Sequence, residues 1–190
     1  MGFSDDLARY IPYNEQEAVD KAVMLDALQK YPDIFLRSNL VLHMTASAWI
    51  VSRKRDKVLM IYHNIYDSWA WTGGHADGDT DLLAVAIREA KEETGLFSIR
   101  PVAEALYSIE TLTVNPHYKR GRYIPAHLHL NATYLLEADE NEPLHHKADE
   151  NSAAGWFPLN KAVSVCSEPW MRPVYQKLND KLEGICSQES

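Results

Sequence analysis

The stretch Gly73 to Leu96, GGHADGDTDLLAVAIREAKEETGL, leaves this chain the least conformational freedom. Gly73-Gly74 permits a tight backbone turn, and Gly95 is a natural helix C-cap. Between them, residues 80–94 have the apolar spacing of a helix. At 100° per residue, Glu92, Glu89 and Glu93 fall at about 40°, 100° and 140° from Arg88. Leu83, Ala86, Ile87 and Ala90 lie between about 160° and 260°, the face expected to pack on a sheet. Three carboxylates therefore share one stripe beside the buried face. Like charges so close repel one another unless a cation sits among them. Hard oxygen ligands on a short arc suit Mg²⁺ or Mn²⁺, and the Gly-Gly turn lets a backbone carbonyl approach the same ion. Such an ion commonly neutralises phosphate oxygens and activates a water. The bland alternative is a solvated acidic face, with Arg88 and Glu92 as an i,i+4 ion pair.

The rest of the chain reads as a mixed α/β pattern. Residues 14–30 are expected to form a helix with Asn14 as N-cap and Glu17 at the capping-box position. Val19, Ala22, Val23, Leu25, Ala27 and Leu28 supply its apolar face, and Tyr31-Pro32 ends it. LVLHMTASAWIV and VLMIY, joined by the charged turn RKRDK, read as a β-hairpin. Further strands are expected at 69–72, 98–112 and 127–137. A polar loop, VNPHYKRGRYIPAH, lies between the last two, and another, EADENEPLHHKADENSAAG, leads to Trp156-Phe157. A last helix is expected over about 168–184, with Ser167 as its cap and Glu168-Pro169 in its first turn. The domain reading is an N-terminal helical extension over 1–38 and one domain over 39–190 that includes the C-terminal helix.

Composition narrows the function classes. Nineteen basic against 27 acidic residues give a net charge of −8 and a pI near 5.4. That argues against a general affinity for nucleic acid or an anionic membrane. No window approaches the roughly 18 uninterrupted apolar residues that span a bilayer, and MGFSDDLARY lacks an apolar signal core. With two cysteines, Cys166 and Cys186, there is no disulfide framework. A reducing, cytoplasmic setting is the simplest expectation.

The central stretch resembles the Nudix box, G-x5-E-x7-R-E-U-x-E-E-x-G-U, where U is apolar. Gly74, Arg88, Glu89, Ala90, Glu92, Glu93, Gly95 and Leu96 occupy their specified places. The departure is Thr80, which stands where the pattern has its first Glu, among Asp77, Asp79 and Asp81. A looser likeness covers about residues 39–165, with HMTASAWIV before the box and GWFPL after it.

The resemblance implies an α/β fold, an α/β/α sandwich around a mixed sheet. It implies Mg²⁺-dependent hydrolysis of a nucleoside diphosphate linked to another moiety, by water attack on phosphorus. Carried over by residue, Glu89, Glu92 and Glu93 are the expected metal ligands, assisted by the Gly74 carbonyl, and Arg88 orients a box carboxylate. Glu150 is the expected further carboxylate from a late loop, ahead of Glu140 and Glu142. His75, Arg120 and Arg122 are candidate substrate contacts, the two arginines by their match to phosphate oxygens. Trp69 and Trp71 read as packing residues rather than a base platform. A sensor that binds nucleotide without cleaving it is the alternative that Thr80 favours. An isopentenyl diphosphate isomerase-type reading needs a catalytic cysteine, and both cysteines lie after the box. The N-terminal helix is left open as a homodimer contact, a lid or packing.

Overall fold

Alternating side chains give residues 42–47 two unlike faces. Met44 and Ala46 are fully buried on one, while His43, Thr45 and Ser47 make the other polar. The computed structural model describes residues 2–119, 121–147 and 151–188. In chain order its elements are α1 (Phe3–Arg9), α2 (Glu15–Lys30), β1 (Leu42–Ser52), β2 (Lys57–His63), β3 (Ser68–Ala70) and β4 (Thr72–His75). There follow α3 (Leu82–Thr94), β5 (Arg100–Pro101), β6 (Ser108–Val114), β7 (His117–Lys119), β8 (Arg122–Ile124) and β9 (His127–Ala138). The chain ends with β10 (Asn151–Pro158), α4 (Leu159–Val165) and α5 (Arg172–Gln188). The fold is mixed α/β. None of its described helices is long and apolar enough to cross a membrane.

The chain divides into two compact units, and β1, α3 and β9 contribute residues to both. The first unit comprises Met1–Ser47, Gly73–Ala86 and Glu104–Tyr134. In it β4 and β9 each pair with β1, and β6 pairs antiparallel with β9, Ile109 opposite Ala132. β1 and β9 run in the same sense: Leu128 N–H donates to the Val41 carbonyl, and Thr45 and Ser47 reach Asn131. The sheet is therefore mixed. Gly73 is required by close approach, because a Cβ there would meet Ser47 Oγ at 2.5 Å and the Ala46 carbonyl at 2.7 Å.

The polar face of this unit is closed by hydrogen bonds. Thr45 and Ser47 hydroxyls donate to Asn131 Oδ1, each at 2.9 Å, and Asn131 Nδ2 and Thr133 Oγ1 donate to Glu110 Oε2. Ser108 bridges Glu110 to the fully buried Glu17 of α2. Asn14 caps α2 as expected, accepting from Glu17 N–H at 3.0 Å. Glu17 departs from the capping-box expectation: its carboxylate accepts from Tyr13 N–H at 2.7 Å and from Tyr10 Oη. The expected apolar face of α2 is corrected too. Val19 and Val23 are exposed, and Glu17, Met24 and Ala27 are buried. The helix docks on β6 through polar groups, Gln16 on the Ile109 carbonyl and Asp20 on Thr111 N–H, and these anchors set its rotation.

In the same unit, the expected polar loop 114–127 contains a short antiparallel ladder, β7 with β8, Tyr118 opposite Tyr123. The expected strand over 98–112 survives as two pieces, β5 and β6.

The second unit comprises Ala48–Thr72, Ile87–Ala103 and Leu135–Ser190. The β1–β2 hairpin is observed, with Ile50 opposite Leu59 and Val51 opposite Val58. β2 also pairs with β3 and β10, which places Trp156 opposite Leu59. Trp69 packs edge-on against Tyr62 and Phe157, and Trp71 against Tyr175. Both tryptophans are thus packing residues. The last helix starts later than expected, at Arg172. Ser167 caps no helix, because its hydroxyl donates to the Asp67 carbonyl and its N–H to Ser68 Oγ.

Candidate metal-dependent site

Helix α3 begins where Asp81 accepts from Ala84 N–H at 3.0 Å, and Asp79 in turn accepts from Asp81 N–H. Thr80 is exposed and lies ahead of the helix. At the other end Gly95 takes φ 71° and donates to the Lys91 carbonyl at 2.8 Å. A side chain there would meet His145 Cβ at 2.9 Å, so both the backbone and the neighbour demand glycine.

Leu82, Val85, Ala86, Ala90, Glu93 and Thr94 are the buried residues of α3. The expected stripe is thus rotated: Leu83 and Ile87 are half-buried, and Glu93 belongs to the buried face. The three glutamates sit in three environments. Glu92 is exposed, with Lys147 Nζ at 3.8 Å, and Glu89 is half-buried, with Arg88 at 3.7 Å. Glu93 is only 4% exposed and accepts from Asn151 Nδ2 at 3.3 Å. Asn151 is fully buried and its Oδ1 has no hydrogen-bond partner among the described residues. A buried carboxylate beside an orphaned amide oxygen is a hard-oxygen donor set, which fits a divalent ion such as Mg²⁺. Asn151 was not anticipated from the sequence; it carries no motif, and only its position at the start of β10 brings it to Glu93.

Of the other sequence candidates, Glu150 and Arg120 lie outside the described residues. Glu142 accepts from the backbone N–H groups of Phe97 and Ser98, and the Ser98 side chain first, then these backbone groups, hold its carboxyl below the usual range. Glu140 pairs with Lys57 at 3.0 Å. In the first unit, Gly74 and His75 are half-buried on β4, and Arg122 is exposed on β8.

The first unit also holds a cluster that sequence reading missed. His43, His75 and His129 each offer a ring nitrogen, and these atoms lie within 4.8 Å of one another. The ring of His127 stacks on His43 at 4.8 Å, and its Nε2 is 3.2 Å from that of His129. Burial first, then the neighbouring imidazoles, push His129 down to about 2, and burial likewise lowers His43. Asp77 lies nearby in the chain, bound by both arms of the Arg37 guanidinium, which holds its carboxyl below the usual range.

Residues 41–178 match the NUDIX domain family. Two relatives align over about two thirds of the chain. A Xenopus laevis protein named m7GpppN-mRNA hydrolase NUDT17 is 30% identical over 126 residues, 66% of this chain and 38% of its own length. The chain therefore spans well under half of that relative. A Lactococcus lactis protein named a probable DHNTP pyrophosphohydrolase is 28% identical over 127 residues, 67% of this chain and 72% of its own length. Among solved structures, a Caenorhabditis elegans Ap4A hydrolase binary complex shares the fold with TM-score 0.56 and 18% identity. That match covers 76% of this chain and 98% of the other.

Proposed function

The chain belongs to the Nudix family, and on that premise we propose that it hydrolyses a diphosphate bond in a small nucleoside diphosphate derivative. The observation that carries this reading is Glu93, a buried carboxylate within the box whose neighbour Asn151 has an unpartnered amide oxygen. The names of the two relatives, both hydrolases of phosphate-containing nucleotide or pterin compounds, agree in reaction class.

In this reading Glu89, Glu92 and Glu93 hold Mg²⁺, or Mn²⁺, and the resemblance adds the Gly74 carbonyl. When bound, the metal supplies charge neutralisation on the phosphate oxygens and lowers the pKa of a water. Arg88 faces Glu89 and keeps that carboxylate from turning away. Asn151 holds Glu93 through its amide N–H and leaves its oxygen for a cation or its hydration shell. Glu150 is proposed as the late-loop carboxylate that accepts a proton from the attacking water. Arg122 and Arg120 are proposed for phosphate oxygens by charge, and His75 for the substrate by the resemblance. Residues 39–190 form the hydrolase domain in this reading, and 1–38 a helical extension that packs through α2 on β6.

The test is a panel of nucleoside triphosphates, dinucleoside polyphosphates, nucleotide sugars and coenzyme A, incubated with Mg²⁺ in ¹⁸O-water. Metal-dependent cleavage of one class, with label on a single product phosphate, is the expected result. Binding of a nucleotide with no cleavage, in Mg²⁺ and in Mn²⁺, would establish the sensor reading instead.

A further inference from the structure

The proposed hydrolysis leaves His43, His127 and His129 of the first unit without a role and gives His75 one by resemblance alone. His43 lies on β1, His75 on β4 and His129 on β9, and β1 pairs with both other strands. His43 and His129 belong to the polar face that continues through Thr45 and Asn131. Among the described residues, this is the group of three metal-ligating side chains whose donor atoms come together.

The surroundings of His43 are those of a ligand. Its Nδ1 lies 3.0 Å from the Asn39 carbonyl, which can only accept, so Nδ1 carries the proton and Nε2 the lone pair. That Nε2 is buried, in a side chain 3% exposed, and has no hydrogen-bond partner among the described residues. A carbonyl fixing the far nitrogen of a histidine is the usual outer-shell arrangement of a bound metal. Asn39 is itself held, with its amide donating to Asp33 and its side-chain oxygen accepting from Val41 and Leu42. The fourth imidazole is oriented in the same way, His127 Nδ1 donating to the Pro125 carbonyl at 2.9 Å. Its Nε2 is thereby turned to His129.

We propose that His43, His75 and His129 bind a borderline divalent transition-metal ion, Zn²⁺ in the first instance, with His127 as the outer partner of His129. Neutral imidazoles with no carboxylate among them select Zn²⁺ over Mg²⁺. Tetrahedral zinc with bonds of about 2.0–2.1 Å spaces its ligand nitrogens about 3.3 Å apart, so closure needs each ring to move by less than about 1 Å. Three protein ligands leave a fourth position for water or an incoming donor. His75 and His129 are only half-buried, which leaves an entry path.

The test uses the full chain stripped of metal, with Zn²⁺ titrated calorimetrically and Co²⁺ followed by its visible d–d bands. Wild type is expected to take one equivalent of Zn²⁺, and a combined Glu89→Gln, Glu92→Gln, Glu93→Gln variant to retain it. His75→Gln and His129→Gln should each weaken uptake at least about tenfold. Electron paramagnetic resonance of the Cu²⁺-loaded wild type should show coupling to several nitrogens, a readout that does not depend on any variant folding. Absence of Zn²⁺ uptake, uptake that follows the glutamates, or a copper spectrum without nitrogen coupling would each overturn the site. None of these outcomes bears on whether the protein cleaves a diphosphate.

Discussion

The glutamates of α3 and the histidines of the first unit are both sets of metal-type ligands, yet they are built in opposite ways. The glutamates come from one helical stretch and offer carboxylate oxygens, with burial falling from Glu93 to Glu89 to Glu92. The histidines come from three strands far apart in the chain, and burial with mutual proximity keeps His43 and His129 neutral. The first set is suited to a hard ion beside phosphate oxygens, the second to a softer ion held by nitrogen. Proximity along a helix brings charge together; proximity across a sheet brings whichever residues the register dictates.

The sharpest way to break this contrast is to remove charge at constant shape. Glu93→Gln and Glu92→Gln are each expected to lower turnover on the order of 10²-fold or more, since a metal supplies several kcal/mol of transition-state stabilisation. Circular dichroism should show the fold retained, and wild-type turnover in both would reject their roles. Next comes Asn151→Ala, where loss of an outer partner should weaken Mn²⁺ affinity about 10–100-fold by calorimetry. If affinity is unchanged, the orphaned oxygen is not part of the metal environment.

On the first unit the effects are on stability. Glu17→Ala removes an acceptor from Tyr10 Oη, Ser108 Oγ and the Tyr13 N–H, and should cost about 1–3 kcal/mol in denaturant unfolding. Gly73→Ala should cost about 1–3 kcal/mol by overpacking against Ser47 and Ala46. The smallest effect concerns Asp77. Its folded carboxyl is depressed, so its stabilisation is present above the unfolded carboxylate pKa and lost as pH falls through the folded value. Arg37→Ala should raise the Asp77 pKa in a carboxyl NMR titration. Both side chains are about half exposed, so the stability change should stay below about 1 kcal/mol and shrink with salt.

Legibility followed the range of the interactions. The α3 helix, its Gly95 stop, the Asn14 cap and the β1–β2 hairpin depend on residues within a few positions of one another, and all were readable. The rotation of α2 was not, because Glu17, Gln16 and Asp20 are held by Ser108, Ile109 and Thr111, about ninety residues away. Ser167 misled for the same reason: its partners are Asp67 and Ser68. Glu93 was readable as a candidate, but its partner Asn151 was not.

What the order of residues determined unaided is the box: an amphipathic helix with carboxylates at fixed angular intervals, stopped by Gly95. Helical geometry is local, so three-, four- and seven-residue spacings already specify which side chains share a face. The tertiary structure alone decided that Glu93 faces Asn151 and that four histidines of the first unit cluster. Strand pairing joins positions that no sequence spacing relates, and only the folded register brings their nitrogens within reach of one ion.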